Sequence, residues 1–216
     1  MTTPAAPPHL LVMDVDSTFI TSEVIELLAD RAGSGALVAQ VTERAMRGEL
    51  DFAQSLHERV ATLEGLPVSV LDDVLAQVEL SPGAAELVTT VQARGWHVGL
   101  VSGGFIEIVA PLAARLGITL VRANRLGVAD GRLTGRVVGD VVDRAAKAAT
   151  LRAYASATGT ALEHTVAIGD GANDLDMMAV AGYSVAYRAK PLVRAAADAA
   201  IEQRLDEALV LPPFAI

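Results

Sequence analysis

Two carboxylates and two hydroxyls crowd into Asp14-Val15-Asp16-Ser17-Thr18, directly after the apolar run Leu10-Leu11-Val12-Met13. One carboxylate can attack as a nucleophile, and a second, two residues on, can donate and later recover a proton. Two more apolar runs end in comparable punctuation. Trp96–Val101 leads into Ser102-Gly103-Gly104, and Thr165–Ile168 leads into Gly169-Asp170-Gly171-Ala172-Asn173-Asp174. Lys147 precedes the last of these on a predicted helix. Gathered at one sheet edge, these groups supply what phosphoryl transfer needs. There is a nucleophile, a proton carrier, and oxygen ligands for a hard cation such as Mg²⁺. A lysine, a hydroxyl and glycine-freed backbone N–H groups can meet the phosphoryl oxygens where charge accumulates. Read singly, each piece is ordinary, since Asp-Ser turns follow many strands and most lysines are solvated surface charges. Their order, and their placement after apolar runs, carry the inference.

The elements must bring those ends together. Leu10–Met13 reads as a buried first strand. Residues 21–77 then pass without a convincing strand, as helical segments near Val24–Ala32, Ala36–Arg47, Asp51–Leu63 and Val68–Gln77, with Asp51 placed to cap the third. From Ser81 the rhythm changes to alternating helix and strand, with a short strand at Thr119–Arg122. A hairpin is signalled by Asp130-Gly131 within Asn124–Val138. The expected fold is α/β: a doubly wound, Rossmann-like parallel sheet covered on both faces, with an inserted helical subdomain and a β-hairpin. Residues 1–8 read as a loose tail, 9–20 and 78–216 as the core, and 21–77 as the helical insertion. In such sheets ligands bind beyond the carboxyl ends of the strands, where the three punctuated runs end.

Composition narrows the function. The 216 residues are 52% hydrophobic with a formal net charge of −9, which supports a sizeable core and argues against nucleic acid as an electrostatic partner. The absence of cysteine removes disulfides, thiolate metal sites and a cysteine nucleophile, and suits a reducing cytoplasm. No apolar run is long and charge-free enough to span a membrane. The four histidines, at positions 9, 57, 97 and 164, form no ligand cluster in sequence.

In this order the motifs resemble those of the haloacid dehalogenase superfamily of phosphatases, and within it the phosphoserine phosphatases. Asp14-Val15-Asp16-Ser17-Thr18 matches the first motif and Ser102-Gly103-Gly104 the second. Lys147 matches the third, and Gly169-Asp170-Gly171-Ala172-Asn173-Asp174 the fourth. The resemblance implies that Asp14 attacks phosphorus and Asp16 serves as acid and base. It implies Mg²⁺ held by Asp14, Asp170 and the backbone carbonyl of Asp16, supported by Asp174. Ser102, Gly103 and Lys147 would hold the phosphoryl group, with Asn173 assisting. The insertion would be a cap: Glu23 would meet a substrate ammonium, Arg59 its carboxylate, and Met46 and Phe52 an apolar wall. Bottom-up, Phe52, Leu56 and Val60 are also one face of an amphipathic helix, with Glu58 free to pair with Arg59. Phe19 stands where the family usually has a smaller aliphatic residue, and Tyr183 and Tyr187 enlarge the segment after the fourth motif. The expected activity is hydrolysis of O-phospho-L-serine through an aspartyl-phosphate, in the cytoplasm, with a homodimer left open. Two alternatives stand beside it: another small phosphomonoester or a transfer reaction on the same scaffold, and a phospho-accepting receiver-like signalling domain. A dinucleotide-binding domain is set aside, because no Gly-x-Gly-x-x-Gly follows the first strand.

Overall fold

The computed structural model describes residues 9–215, so the tail expected over 1–8 lies outside them. In chain order the elements are β1 (Leu10–Met13), α1 (Val24–Ala32), α2 (Gly35–Met46), α3 (Phe52–Ala61), α4 (Val70–Leu75), α5 (Ala84–Ala93), β2 (His97–Phe105) and α6 (Ile106–Arg115). There follow β3 (Leu120–Ala129), β4 (Arg132–Val138), α7 (Arg144–Thr158), β5 (Thr165–Gly169), α8 (Leu175–Val180), β6 (Tyr183–Tyr187), α9 (Pro191–Ala196) and β7 (Ala199–Ile201). The strands form one seven-stranded sheet in the order β4-β3-β2-β1-β5-β6-β7, parallel except for β4 against β3.

β1 is completely buried because both faces of the sheet are covered. Side chains alternate across a strand. Leu11 and Met13 therefore pack with Leu87 and Val91 of α5 and Ile108 and Leu112 of α6. Leu10 and Val12 pack with Leu151 of α7 and Met177 and Met178 of α8. The chain builds outward from β1 through β2 to β3, then returns through α7 to place β5 on β1's other side. That reversal is the switch point at which doubly wound sheets bind ligands. It also sets the register Met13↔Ile168, so Asp14 and Asp170 emerge side by side.

The helical insertion hangs from a short antiparallel neck. Ile20 bridges Leu80, the Thr21 N–H donates to Glu79 O at 3.0 Å, and the Ser81 N–H donates to Phe19 O at 2.9 Å. A second tie joins the insertion to the β3–β4 hairpin. Gly65 N–H donates to Leu133 O at 2.8 Å, Leu133 N–H to Leu66 O at 2.8 Å, and Val68 N–H to Gly131 O at 2.9 Å. The hairpin turn itself has positive φ at both Asp130 and Gly131, the conformation that Asp-Gly favours in two-residue hairpins.

Three boundaries differ from the sequence expectation. β2 continues through Ser102-Gly103-Gly104 to Phe105, because Asn124 of β3 reaches across and its Nδ2 donates to Gly103 O at 2.8 Å. The strand expected at Thr119–Arg122 and the first hairpin strand are one continuous β3. β7 was not foreseen, since three residues of Ala-Ala-Ile lack a pattern of their own and become a strand by pairing with β6.

Candidate active site

The turn after β1 sets the site's geometry. Ser17 adopts φ +57°, a left-handed backbone uncommon for a non-glycine residue. It folds the chain back so that the Ile20 N–H reaches Val15 O at 2.9 Å. Val15 and Phe19 anchor this turn from below, both fully buried, which gives the bulky Phe19 a packing role. Asp14 and Asp16 thereby face a cavity of about 280 Å³ above the carboxyl ends of β1, β2 and β5.

Beneath the cavity, Lys147 is fully buried and donates to Asp14 Oδ1 and, at 2.6 Å, to Asp174 Oδ1. A lysine ammonium has three donors, so one remains for a ligand. Burial pulls the Lys147 ammonium towards losing its proton, but Asp14 and Asp174 outweigh it and its pKa is raised. Burial raises the Asp14 pKa, and Asp174 adds to that, against the opposing pull of Lys147. Asp174 is itself fully buried and accepts at Oδ2 from the Gly171 N–H at 3.0 Å, which shapes the turn after β5. Thr18 Oγ1 donates to Asp170 Oδ1 at 3.2 Å. Carboxylate oxygens of Asp14, Asp170 and Asp174 lie within 4.8 Å of one another. A cluster of hard oxygen donors on this scale fits a divalent cation.

Asp16 is positioned from two sides. The Val24 N–H donates to its Oδ1 at 2.8 Å and the Ser102 hydroxyl to its Oδ2 at 2.9 Å. Burial and the neighbouring Glu23 charge raise its pKa to about 6, although those two hydrogen bonds act in the opposite direction. A carboxyl poised near neutrality suits acid–base work. Ser102, expected at a phosphoryl group, here spends its one donor on Asp16 and accepts from the Gly104 N–H at 2.7 Å.

Above the cavity, the helical insertion contributes Glu23, Phe52 and Arg59 to the lining. Ser17 Oγ holds Glu23 Oε1 at 2.7 Å. α3 starts with a capping box, in which Asp51 Oδ1 accepts from the Gln54 N–H at 2.7 Å and Gln54 Oε1 from the Asp51 N–H at 3.0 Å. Arg59 Nε donates to Ser55 O at 3.2 Å. The surface pair of Arg59 with Glu58 does not form: Glu58 is bound by Arg44 at 2.6 Å. Burial lowers the Arg59 pKa, while Glu23 and Asp16 raise it, so the cavity holds a cation and an anion facing one space. Phe52 descends onto Gly103, where a Cβ would lie 2.8 Å from Phe52 Cζ. Gly103, Asp170 and Asn173 complete the predicted residues that line the cavity.

Met46, expected in the apolar wall, lies apart from the cavity. It ends α2 with 75% of its surface exposed and does not line the cavity, because the helix turns that face to solvent. The apolar wall comes instead from Phe52 with Ile25, Leu56 and Phe105. Leu56 was legible only as an amphipathic-helix residue; Ile25 and Phe105 gave no signal distinct from core. Gly104 was readable within the Ser-Gly-Gly run but without a role: a Cβ there would fall on the Asp16 carboxylate. Lys190, also in the lining, was missed.

Comparison with known proteins agrees with this layout. Residues 11–179 match the family model for haloacid dehalogenase-like hydrolases. A phosphoserine phosphatase of Streptomyces coelicolor is 58% identical over 193 residues, covering 89% of this chain and 47% of that protein. One from Streptococcus thermophilus is 55% identical over 185 residues, covering 86% of each. The chain thus spans about half the length of the first relative and most of the second. A solved phosphoserine phosphatase described as a phospho-aspartyl intermediate analogue superimposes with a TM-score of 0.89 at 40% identity, covering 94% of this chain and 98% of that one. With the three punctuated runs and Lys147 gathered at one sheet edge and the family model running through all of them, the chain belongs to the haloacid dehalogenase-like hydrolase family.

Proposed function

We propose that this chain hydrolyses O-phospho-L-serine to L-serine and phosphate through an aspartyl-phosphate on Asp14. The observation that carries the substrate is the pairing of Arg59 and Glu23 across one cavity that also contains Asp14 and Asp16. A planar guanidinium suits a carboxylate, an anion suits an ammonium, and the two reacting carboxylates stand below. The related proteins named phosphoserine phosphatases support the same reading.

In this mechanism an Asp14 oxygen attacks phosphorus in line and the P–O bond to serine breaks. Asp16 gives its proton to the departing serine oxygen. It then takes a proton from water, which attacks phosphorus and returns Asp14 as a carboxylate. Lys147 holds Asp14 in place, favours its charged form against the burial that opposes it, and offers its third donor to the phosphoryl group. Gly103 N–H and Asn173, both from the cavity lining, meet phosphoryl oxygens in this reading, and Ser102 orients Asp16. Asp14, Asp170 and the Asp16 carbonyl would hold Mg²⁺, with Asp174 beside them; the ion would supply positive charge to offset the repulsion of an anionic nucleophile and an anionic substrate. Residues 21–77 act as a cap, whose Phe52 excludes bulk water over Gly103. Catalysis in the cytoplasm completes the proposal.

The test is phosphate release from L-phosphoserine, phosphoethanolamine and an aryl phosphate, with Mg²⁺ and with chelator. Metal-dependent turnover that favours phosphoserine over phosphoethanolamine, which lacks the carboxylate, is expected. Asp14→Asn should abolish turnover with the fold intact, and Arg59→Ala and Glu23→Ala should spare only the aryl ester. Preference for another ester would overturn the substrate. Turnover persisting in Asp14→Asn would overturn the nucleophile.

A further inference from the structure

Of the seventeen basic residues in the chain, fifteen are arginine and only two, Lys147 and Lys190, are lysine. Both stand at the catalytic cavity. Lys147 lies beneath it, committed to Asp14 and Asp174. Lys190 belongs to its lining, on the turn after β6. The Lys190 backbone N–H approaches Asp170 O at 3.4 Å, which fixes this turn beside the one carrying Asp170. Its side chain is exposed, and among the described residues its ammonium has no ion-pair or hydrogen-bond partner.

The charges around it give that free ammonium a task. Asp14, Asp16, Glu23 and Asp170 line the cavity, and the only other cation in the lining is Arg59. Lys147 lies below, with two of its three donors already given to Asp14 and Asp174. A phosphomonoester dianion approaching this mouth meets a repulsive field, which focused cationic charge must offset. The type of cation matters. An arginine fork beside so many carboxylates would settle into a bidentate pair with one of them, whereas a lysine is a compact, flexible point charge that stays available. A chain that uses arginine almost everywhere keeps lysine at the two positions facing the phosphate path.

We propose that Lys190 is a substrate-capture residue, which receives the phosphate dianion at the cavity mouth and offsets the Asp170 charge as it enters. The role rests on the phosphomonoester reading of the site. It acts on entry and binding, and the bond-breaking steps belong to Asp14 and Asp16.

The test compares Lys190→Gln and Lys190→Arg with the parent chain, by calorimetric binding of inorganic phosphate in the presence of Mg²⁺. The same variants are assayed for kcat and KM on phosphoserine and on an aryl phosphate, from low to physiological salt. For Lys190→Gln, phosphate affinity and kcat/KM should fall about tenfold at low salt, with the loss in KM and a flatter salt dependence. Lys190→Arg should keep the salt dependence, because it keeps the charge. Unchanged phosphate affinity and salt slope in Lys190→Gln would overturn the proposal. So would equal losses of kcat in both variants, which would mark a structural role. If the parent chain binds phosphate and cleaves the aryl ester but not phosphoserine, the substrate assignment fails alone. Lys190 is then judged on the other two ligands.

Discussion

Asp16 shows how much of this site depends on single contacts. Its carboxylate is fixed by the Val24 N–H and the Ser102 hydroxyl, and the missing Cβ of Gly104 leaves it room. The same enclosure has a cost. Burial, ahead of the neighbouring carboxylate charges, raises both Asp16 and Asp170 to about 6 from an ordinary 3.8. A carboxyl that holds its proton more tightly when folded adds stability below the unfolded value, and that stability is lost as pH rises through the folded value. The metal-free protein should therefore lose thermal stability as pH rises from about 4 to about 7, and Asp16→Asn should flatten the slope. Saturating Mg²⁺ should reverse the loss, by about 2.7 kcal/mol at a hundredfold excess over its Kd. A melting temperature that climbs through this window without metal would contradict the assignment. Melting curves at several pH values, with chelator and with Mg²⁺, decide it.

Among the elements, α3 carries the most function for its length. Phe52, Leu56 and Arg59 face the cavity from its first three turns, and the helix begins at the Asp51–Gln54 capping box. Removing such a cap costs about 1 kcal/mol. Asp51→Ala should accordingly lower the urea midpoint by an amount matching roughly that energy. It should also raise KM for phosphoserine more than for an aryl phosphate, since Arg59 loses its fixed base. A rise shared equally by the two substrates would separate α3 from carboxylate recognition. α2 makes the contrast. It has the same length class and a comparable amphipathic pattern, yet its last residue, Met46, points to solvent.

At the scale of the whole molecule, the insertion is tied to the core at two places, the Ile20–Leu80 neck and the β3–β4 hairpin. The second tie depends on Gly135, with φ +68°, where a Cβ would come within 3.0 Å of Glu64 Cβ and 3.2 Å of Ala61 O. A valine there is strained by its backbone and collides with the end of α3. Gly135→Val should thus loosen the insertion from the hairpin, raising KM for phosphoserine and exposing residues near 61–68 to proteolysis. Mg²⁺ binding by the core should persist. Unchanged proteolysis and KM would show that the neck alone sets the insertion's position.

The core's architecture and its chemistry were legible in the residues because both are written locally. Apolar runs of strand length, their polar endings and the Asp-Gly turn each depend on neighbours in sequence. Asp14, Asp16, Lys147, Asp170 and Asp174 could be named before their positions were known. Tertiary structure alone decided which of them touch. It put Lys147 between Asp14 and Asp174, gave the Ser102 hydroxyl to Asp16, and paired Glu58 with Arg44 in place of Arg59. It extended β2 through its glycines and made β7 from three residues with no pattern of their own. Lys190 enters the cavity only because β6 lies beside β5 in the sheet. Short-range periodicity encodes elements, whereas a contact across the sheet depends on register and strand order, which no local stretch of sequence contains.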